Sequence, residues 1–164
     1  MKIDREVDHL DRFSLLQFLN EEEIEKLKEN LFQRTYKKNQ LLFTVGDPRE
    51  RIYFLNEGYV KLEKTNSEST MIYIDYVKPN DIFPYGGMFK DKFYHYSAYT
   101  LTDIAVYYIP THIFEALVQT NKDQLIFIIN RLSKILELHE SRLQAITTSN
   151  VKDRVEQTIT YLMN

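Results

Sequence analysis

Short hydrophobic runs alternate with polar turns through the middle of the chain, from residue 31 to residue 109. In one of these runs Val60 and Leu62 alternate with polar neighbours, which is typical of a strand with one buried face and one solvated face. Turn signals rich in Gly, Asp, Asn and Pro separate the runs. Strands this short predict an antiparallel sandwich or rolled barrel rather than βαβ units.

The residues before this region predict helices. Asn20 is a good helix-capping residue, and Glu23 stands three positions later, where it completes a capping box. Ile24, Leu27 and Leu31 then line one side of the predicted helix.

Residues 121–149 carry the clearest periodicity of the chain. Seven positions, spaced alternately by four and three residues, form a heptad seam: Leu125, Ile129, Leu132, Leu136, His139, Leu143 and Ile146. A seam of this period predicts a long helix that pairs with a second copy, so we expect a parallel homodimer through residues 121–149. The alternative is a helix buried wholly against its own domain. His139 either fixes the register of the pair, as polar seam residues do, or loosens it when protonated below a pH of about 6.5.

The last residues predict one more helix. Asn150 is a suitable N-cap, and an apolar stripe follows it at Val151, Val155, Ile159 and Leu162. We expect this segment to be the start of a truncated domain. The predicted organisation is N-terminal helices at 1–30, a β-domain at 31–120, a dimerisation helix at 121–149 and the start of a C-terminal domain at 150–164.

Composition narrows the function. The 164 residues are 43% hydrophobic and 27% charged with a net charge of −3, which argues against a nucleic-acid surface on the chain as given. There is no Cys, and the four His are scattered, so we expect no metal, no cofactor and no catalytic residues. A small metal-dependent barrel enzyme would need clustered metal ligands, which the sequence lacks, so this class of enzyme is disfavoured. No apolar run approaches the roughly 20 residues that span a bilayer, and we expect a cytoplasmic, non-enzymatic protein without membrane contact.

The stretch from Phe43 to Leu62, FTVGDPRERIYFLNEGYVKL, resembles the β-roll of cyclic-nucleotide-binding-type domains. The turn Gly46-Asp47 and the later Gly58 fall at that family's spacing. With the N-terminal helices and the long helix, the whole chain is similar to the Crp/Fnr family of transcription regulators. This resemblance implies an antiparallel β-roll, also called a double-stranded jelly-roll, on a dimerisation helix.

The same resemblance implies partners. A helix-turn-helix domain follows the equivalent of Val151–Met163 in that family, so DNA would be bound only through a C-terminal domain missing from this chain. RNA polymerase is a further partner that the resemblance implies, with the loop Arg49-Glu50-Arg51 as the contact. Activation and repression both stay open, and so does the effector.

The nucleotide-binding motifs of the family are altered here. Phe-Gly-Glu aligns with Phe83-Pro84-Tyr85, and Arg-Ser/Thr-Ala aligns with Tyr96-Ser97-Ala98. The missing Glu and Arg would bind the ribose and the phosphate, and hydrogen bonds to charged groups contribute roughly 1.5–3 kcal/mol each. We therefore expect no response to cyclic AMP.

The candidate pocket residues are mainly aromatic: Phe83, Tyr85, Tyr96, Ser97 and Tyr99. They either bind a different, partly apolar effector or fill the disused pocket. The Phe83-Pro84 pair is similar to the branch of the family that regulates the arginine deiminase pathway in low-GC Gram-positive bacteria, and virulence regulators that lack the nucleotide-binding residues are a second branch. A stand-alone cyclic-nucleotide module is the alternative function.

Overall fold

The computed structural model of the chain describes residues 10–68, 72–148 and 151–163. The chain divides into two compact units, Met1–Leu125 and Ile126–Asn164. The strands are β1 (Phe32–Tyr36), β2 (Leu41–Phe43), β3 (Arg51–Glu57), β4 (Val60–Thr65), β5 (Ile72–Val77), β6 (Ile82–Phe83), β7 (Ser97–Thr100) and β8 (Ile104–Pro110). The helices are α1 (Glu21–Glu29), α2 (Thr111–Thr120), α3 (Lys122–Thr148) and α4 (Val151–Met163).

The described N-terminal residues form two short 3-10 helices, Leu10–Arg12 and Ser14–Leu16, followed by α1. The predicted capping box is confirmed, because the Glu23 amide donates to Asn20 Oδ1 at 2.9 Å and the Asn20 amide donates to Glu23 Oε2 at 2.9 Å. This reciprocal pair satisfies two of the amides that a helix start leaves without a partner.

Two four-stranded antiparallel sheets form the β-domain. One has the strand order β1-β8-β3-β6, and the other has the order β2-β7-β4-β5. Every recorded pairing between these strands is antiparallel. The predicted antiparallel β-roll is therefore confirmed.

The hydrophobic core of the roll takes side chains from both sheets. Its members are Phe43, Tyr53, Leu55, Val60, Leu62, Val77, Phe83, Tyr94, Ala98, Ile104 and Val106. In β4, buried Val60 and Leu62 alternate with the more exposed Lys61 and Glu63, as the two-residue period of that run predicts. Five of the eleven members are Phe, Tyr or Ile, so bulky side chains fill much of the space between the sheets.

The start of α3 is tied to the N-terminal segment by polar side chains. Asn121 Nδ2 donates to the Phe18 carbonyl oxygen at 2.8 Å, and Gln124 Nε2 donates to the Leu15 carbonyl oxygen. Gln124 is completely buried, and its Oε1 accepts from the Phe18 amide at 3.2 Å. A buried amide whose oxygen and nitrogen are both bonded fixes this junction in one arrangement.

The second unit consists of most of α3 and all of α4. The helix α3 covers the predicted dimerisation helix to within one residue at each end, and α4 follows at Val151–Met163. Within this unit the Arg142 guanidinium lies 4.8 Å from the centroid of the Tyr161 ring. Asn150, the predicted cap, lies outside the described residues, as do residues 1–9 and Asn164.

None of the described helices is long and apolar enough to cross a membrane.

Candidate effector pocket and pairing surface

Phe83, the last residue of β6, lies in the core of the roll. The sequence aligns it with the first residue of the family's Phe-Gly-Glu motif. Phe83 is 1% exposed and is paired in register with Tyr53 of β3. The Phe83–Pro84 peptide bond is cis. Residues 84–96, which we call the cassette loop, then lead to β7.

Four aromatic rings, one of them that of Phe83, form a cluster in this part of the roll. The centroids of Tyr53 and Phe83 lie 5.2 Å apart in a stacked arrangement, and those of Phe43 and Tyr94 lie 3.8 Å apart. Phe43 also stacks on Tyr53 at 5.7 Å. All four side chains are buried. The roll interior at Phe83 is therefore occupied by side chains, which favours the interpretation that the rings complete the core.

Tyr94 has an additional polar role in this cluster. Its hydroxyl donates to the Arg51 carbonyl oxygen at 3.0 Å and accepts from the Arg51 amide at 3.1 Å. Both hydrogen bonds join the end of the cassette loop to the first residue of β3, and they fix the hydroxyl end of the ring.

Tyr96 is the residue that the sequence comparison sets opposite the family's phosphate-binding arginine. Its ring lies 5.4 Å from that of Tyr73 in β5, and a Cβ atom added at Gly86 would lie 2.6 Å from its Cε2 atom. Burial, together with the negative charge of Asp75, raises the pKa of Tyr96 above its ordinary value. A carboxylate at this position disfavours a bound phosphate, because like charges repel.

The other candidate residues are placed on different faces. Ser97 is buried, and its Oγ accepts from the Val45 amide at 3.0 Å. Tyr99 alternates with the core residue Ala98 along β7, and the Lys61 ammonium lies 5.4 Å from its ring centroid. Tyr85 is half-buried in the cassette loop. The structure therefore brings Phe83 and Tyr96 together against the core, whereas Ser97 and Tyr99 belong to the opposite face of the sheet.

Within the cassette loop, His95 Nε2 lies 2.8 Å from Asp91 Oδ2. Among the described residues, no three His, Asp or Glu side chains come together as a metal-binding group.

The buried tyrosines predict a loss of stability at high pH. Burial raises the pKa of Tyr53, Tyr94 and Tyr96 above the ordinary value of 10.0, because the ionised form would be desolvated. The folded state then holds these protons more tightly than the unfolded state. Their contribution to stability is fully present below pH 10 and is lost as the pH rises above it.

Urea unfolding of the chain at pH 8 and pH 11 measures this effect, and we expect a lower midpoint at pH 11. In Tyr96→Phe, which removes the hydroxyl of a partly buried tyrosine, the drop is expected to be smaller. Tyr59→Phe, at a side chain that is 51% exposed, serves as the control. Equal drops in all three proteins would contradict the assignment of the effect to buried tyrosines.

The predicted seam on α3 presents a row of apolar side chains that the single chain does not cover. Four of its seven residues are more than half exposed: Ile129 (52%), Leu136 (59%), Leu143 (63%) and Ile146 (61%). Leu125, Leu132 and His139 are half-buried. The helix α4 also exposes apolar residues, including Val151 and Val155. An apolar row of this length is typical of a surface that pairs with another protein surface.

Comparison with known proteins places this geometry in context. The model of the cyclic nucleotide-binding domain family matches residues 33–121. An HTH-type transcriptional regulator, ArcR, from Staphylococcus haemolyticus is 27% identical over 139 residues, which are 85% of this chain and 61% of that protein. A global nitrogen regulator from a Nostoc species is 34% identical over 74 residues, which are 43% of this chain and 33% of that protein.

Solved structures share the fold. The c-di-GMP-responsive global regulator CLP of Xanthomonas campestris superposes with a TM-score of 0.69 at 20% identity, covering 86% of this chain and 71% of CLP. The sensor domain of the transcriptional regulator DNR of Pseudomonas aeruginosa gives a TM-score of 0.68 at 19% identity, covering 78% of this chain and 93% of that domain.

The chain spans about three fifths of the length of the ArcR relatives that it matches. The relatives agree with the Crp/Fnr resemblance seen in the sequence, which is thereby confirmed. The matched family model extends over more than half of the residues, from the second position of β1 to the residue after α2, and the chain therefore belongs to the cyclic nucleotide-binding domain family.

Proposed function

We propose that this chain is the sensory and dimerising portion of a Crp/Fnr-type transcription regulator, that it is not an enzyme, and that it does not respond to cyclic AMP. The observation that carries the proposal is the state of the roll interior. Buried aromatic rings occupy it at Phe83, and Tyr96, which we align with the family's phosphate-binding arginine, is under the influence of the negative charge of Asp75.

The pairing surface supports the dimerising part of this role. The exposed seam on α3 has the heptad period of a helix that pairs with a copy of itself. We assign a parallel homodimer to this helix, with Leu125, Ile129, Leu132, Leu136, His139, Leu143 and Ile146 in the interface. His139 would then face its counterpart in the second copy, where a polar residue fixes the register.

DNA binding belongs, in this proposal, to a part of the whole protein beyond these 164 residues. The net charge of −3 does not favour contact with phosphates, and the matched region is only 61% of the ArcR relative from Staphylococcus haemolyticus. Contact with RNA polymerase through residues 49–51 stays a prediction.

Calorimetry with cyclic AMP and cyclic GMP tests the sensory part of the proposal. Losing two hydrogen bonds to charged groups weakens binding by roughly a hundredfold or more, so we expect no measurable binding heat at ligand concentrations up to about 1 mM. A domain that keeps the Glu and the Arg serves as the positive control. Binding with a dissociation constant below about 10 μM would instead support the alternative, a cyclic-nucleotide module.

A further inference from the structure

A cleft of about 570 Å³ opens beside the roll, where β3 begins, β8 ends and α2 begins. We call it the Arg51 cleft. Its lining includes Arg49, Arg51, Lys92, Thr111 and Glu115. It lies outside the aromatic cluster around Phe83, and none of the pocket residues predicted from the sequence lines it.

Two buried polar atoms in the walls of this cleft have no hydrogen-bond partner in the described part of the chain: Arg49 Nη1 and Thr111 Oγ1. Thr111 is 7% exposed, and the Arg49 side chain is 2% exposed. Arg49 is otherwise held in place, since its Nε donates to the Asp91 carbonyl oxygen at 3.0 Å and its Nη2 donates to Glu115 Oε1 at 2.6 Å. Buried polar groups in native proteins are nearly always paired, so these two atoms point to a bound water, ion or ligand group.

The first turn of α2 contributes further donors at the same place. Pro110 stands at the N-cap position and provides no side-chain hydrogen bond to the helix. The Thr111 amide donates to the Glu50 carbonyl oxygen at 2.9 Å, and no side chain caps the amides that follow it. The start of an uncapped ten-residue helix attracts an anion through these amides and through the helix dipole.

Three cationic side chains and three carboxylates line the cleft, namely Arg49, Arg51 and Lys92, and Glu50, Asp91 and Glu115. Glu115 accepts from Arg49 and from the Phe89 amide, Asp91 lies beside His95, and the side chain of Glu50 is exposed. No carboxylate of the described residues lies within ion-pair distance of Arg51 or Lys92.

Arg51 is nevertheless held in a fixed position. Its Cζ atom lies 4.7 Å from the centroid of the Tyr108 ring, and the Phe32 ring stacks on the same Tyr108 ring with the two centroids 5.3 Å apart. The Arg51 guanidinium also makes a side-chain hydrogen bond to Tyr53, and because a guanidinium has five N–H donors, others are left for an oxyanion.

We propose that the Arg51 cleft binds a phosphate group at the start of α2, with Arg51 and Lys92 supplying charge and Thr111 supplying a hydroxyl donor. A phosphate fits better than a carboxylate, because a dianion matches two cations and its oxygens accept from several donors at once. The volume of the cleft falls in the range of small-molecule pockets, so it is large enough for a phosphorylated metabolite. Free phosphate carries the same recognised group.

Titration of the whole 164-residue chain with inorganic phosphate, followed by NMR of the backbone amides, tests the site. Ionic strength is held constant with sodium chloride. We expect saturable shifts at Lys92, His112 and Ile113. Glucose 6-phosphate, with glucose as its control, separates the two sources: tighter binding of the ester indicates a phosphorylated metabolite, and equal or weaker binding indicates free phosphate. Shifts that do not saturate, or that spread over the surface, would overturn the proposal.

Variants locate the site within the chain. Lys92→Gln and Thr111→Val are each expected to weaken phosphate binding by about tenfold. Lys64→Gln, which removes the charge of an exposed lysine on β4, is the matched control and is expected to leave binding unchanged. Amide spectra of the free variants report that each one is folded. If both cleft variants bind phosphate as the unaltered chain does, the cleft is not the site.

Discussion

The Leu136→Glu variant is expected to sediment as a monomer at concentrations where we expect the unaltered chain to be a dimer. Leu136 is 59% exposed in the single chain and lies in the middle of the proposed seam. Burial of a leucine contributes about 1.5–3 kcal/mol, and a homodimer loses that contribution twice. Each glutamate would also face an apolar surface without a counter-charge. A total of about 4 kcal/mol or more raises the dissociation constant roughly a thousandfold.

Sedimentation equilibrium over a range of chain concentrations measures this change. Ser141→Glu is the matched control, because it adds the same charge to the same helix at an exposed residue five positions along, away from the seam. The Ser141 hydroxyl donates only to the Glu137 carbonyl oxygen of its own helix, at 3.0 Å. We expect Ser141→Glu to stay dimeric. If Leu136→Glu dimerises as strongly as the control, the seam is not the interface.

Local rules account for the elements that the sequence predicted well. The capping box at Asn20 depends on residues three positions apart, and both of its hydrogen bonds are present. The face to which each β7 residue belongs also follows from a local rule. Because side chains alternate along a strand, Tyr99 had to lie opposite Ala98, and that signal was available in the sequence.

The filling of the pocket could not be predicted in the same way. The cluster around Phe83 joins Phe43 of β2, Tyr53 of β3 and Tyr94 of the cassette loop. These residues are far apart in the chain, and only the pairing of strands brings their rings into contact. The sequence shows that aromatic residues are abundant, but ring stacking depends on tertiary geometry.

The Arg51 cleft was missed for a related reason. The loop Arg49-Glu50-Arg51 was predicted as a surface contact, whereas the structure buries Arg49 against Glu115 of α2. The two residues are 66 positions apart, so no sequence spacing indicates their contact. The Thr111 hydroxyl becomes informative only once the side chains around it are placed, because its burial without a partner is not visible in the sequence.

Two glycines of the roll share one backbone conformation but differ in their surroundings. Gly58, after β3, has a φ of 84°, and Gly46 has a φ of 88°. A Cβ atom at Gly58 would lie 2.6 Å from Thr102 Oγ1 and 2.7 Å from Ile104 Cγ2, and it would also meet the carbonyl oxygen of Asp103. At Gly46 no atom lies within 4 Å of such a Cβ. Both positions favour glycine for its φ, and only Gly58 is also crowded.

The Gly58→Ala variant is therefore expected to lose about 3 kcal/mol or more of unfolding free energy, and Gly46→Ala about 1–2 kcal/mol. The left-handed conformation costs a side chain similar amounts at both sites, so the difference isolates the crowding against residues 102–104. The Tyr59 amide donates to Thr102 Oγ1 at 3.0 Å, and this hydrogen bond resists a shift that would relieve the contact. Urea unfolding of both variants measures the two free energies. Equal losses would show that residues 102–104 move to accommodate the added methyl group. The requirement for glycine at position 58 would then come from its backbone conformation alone.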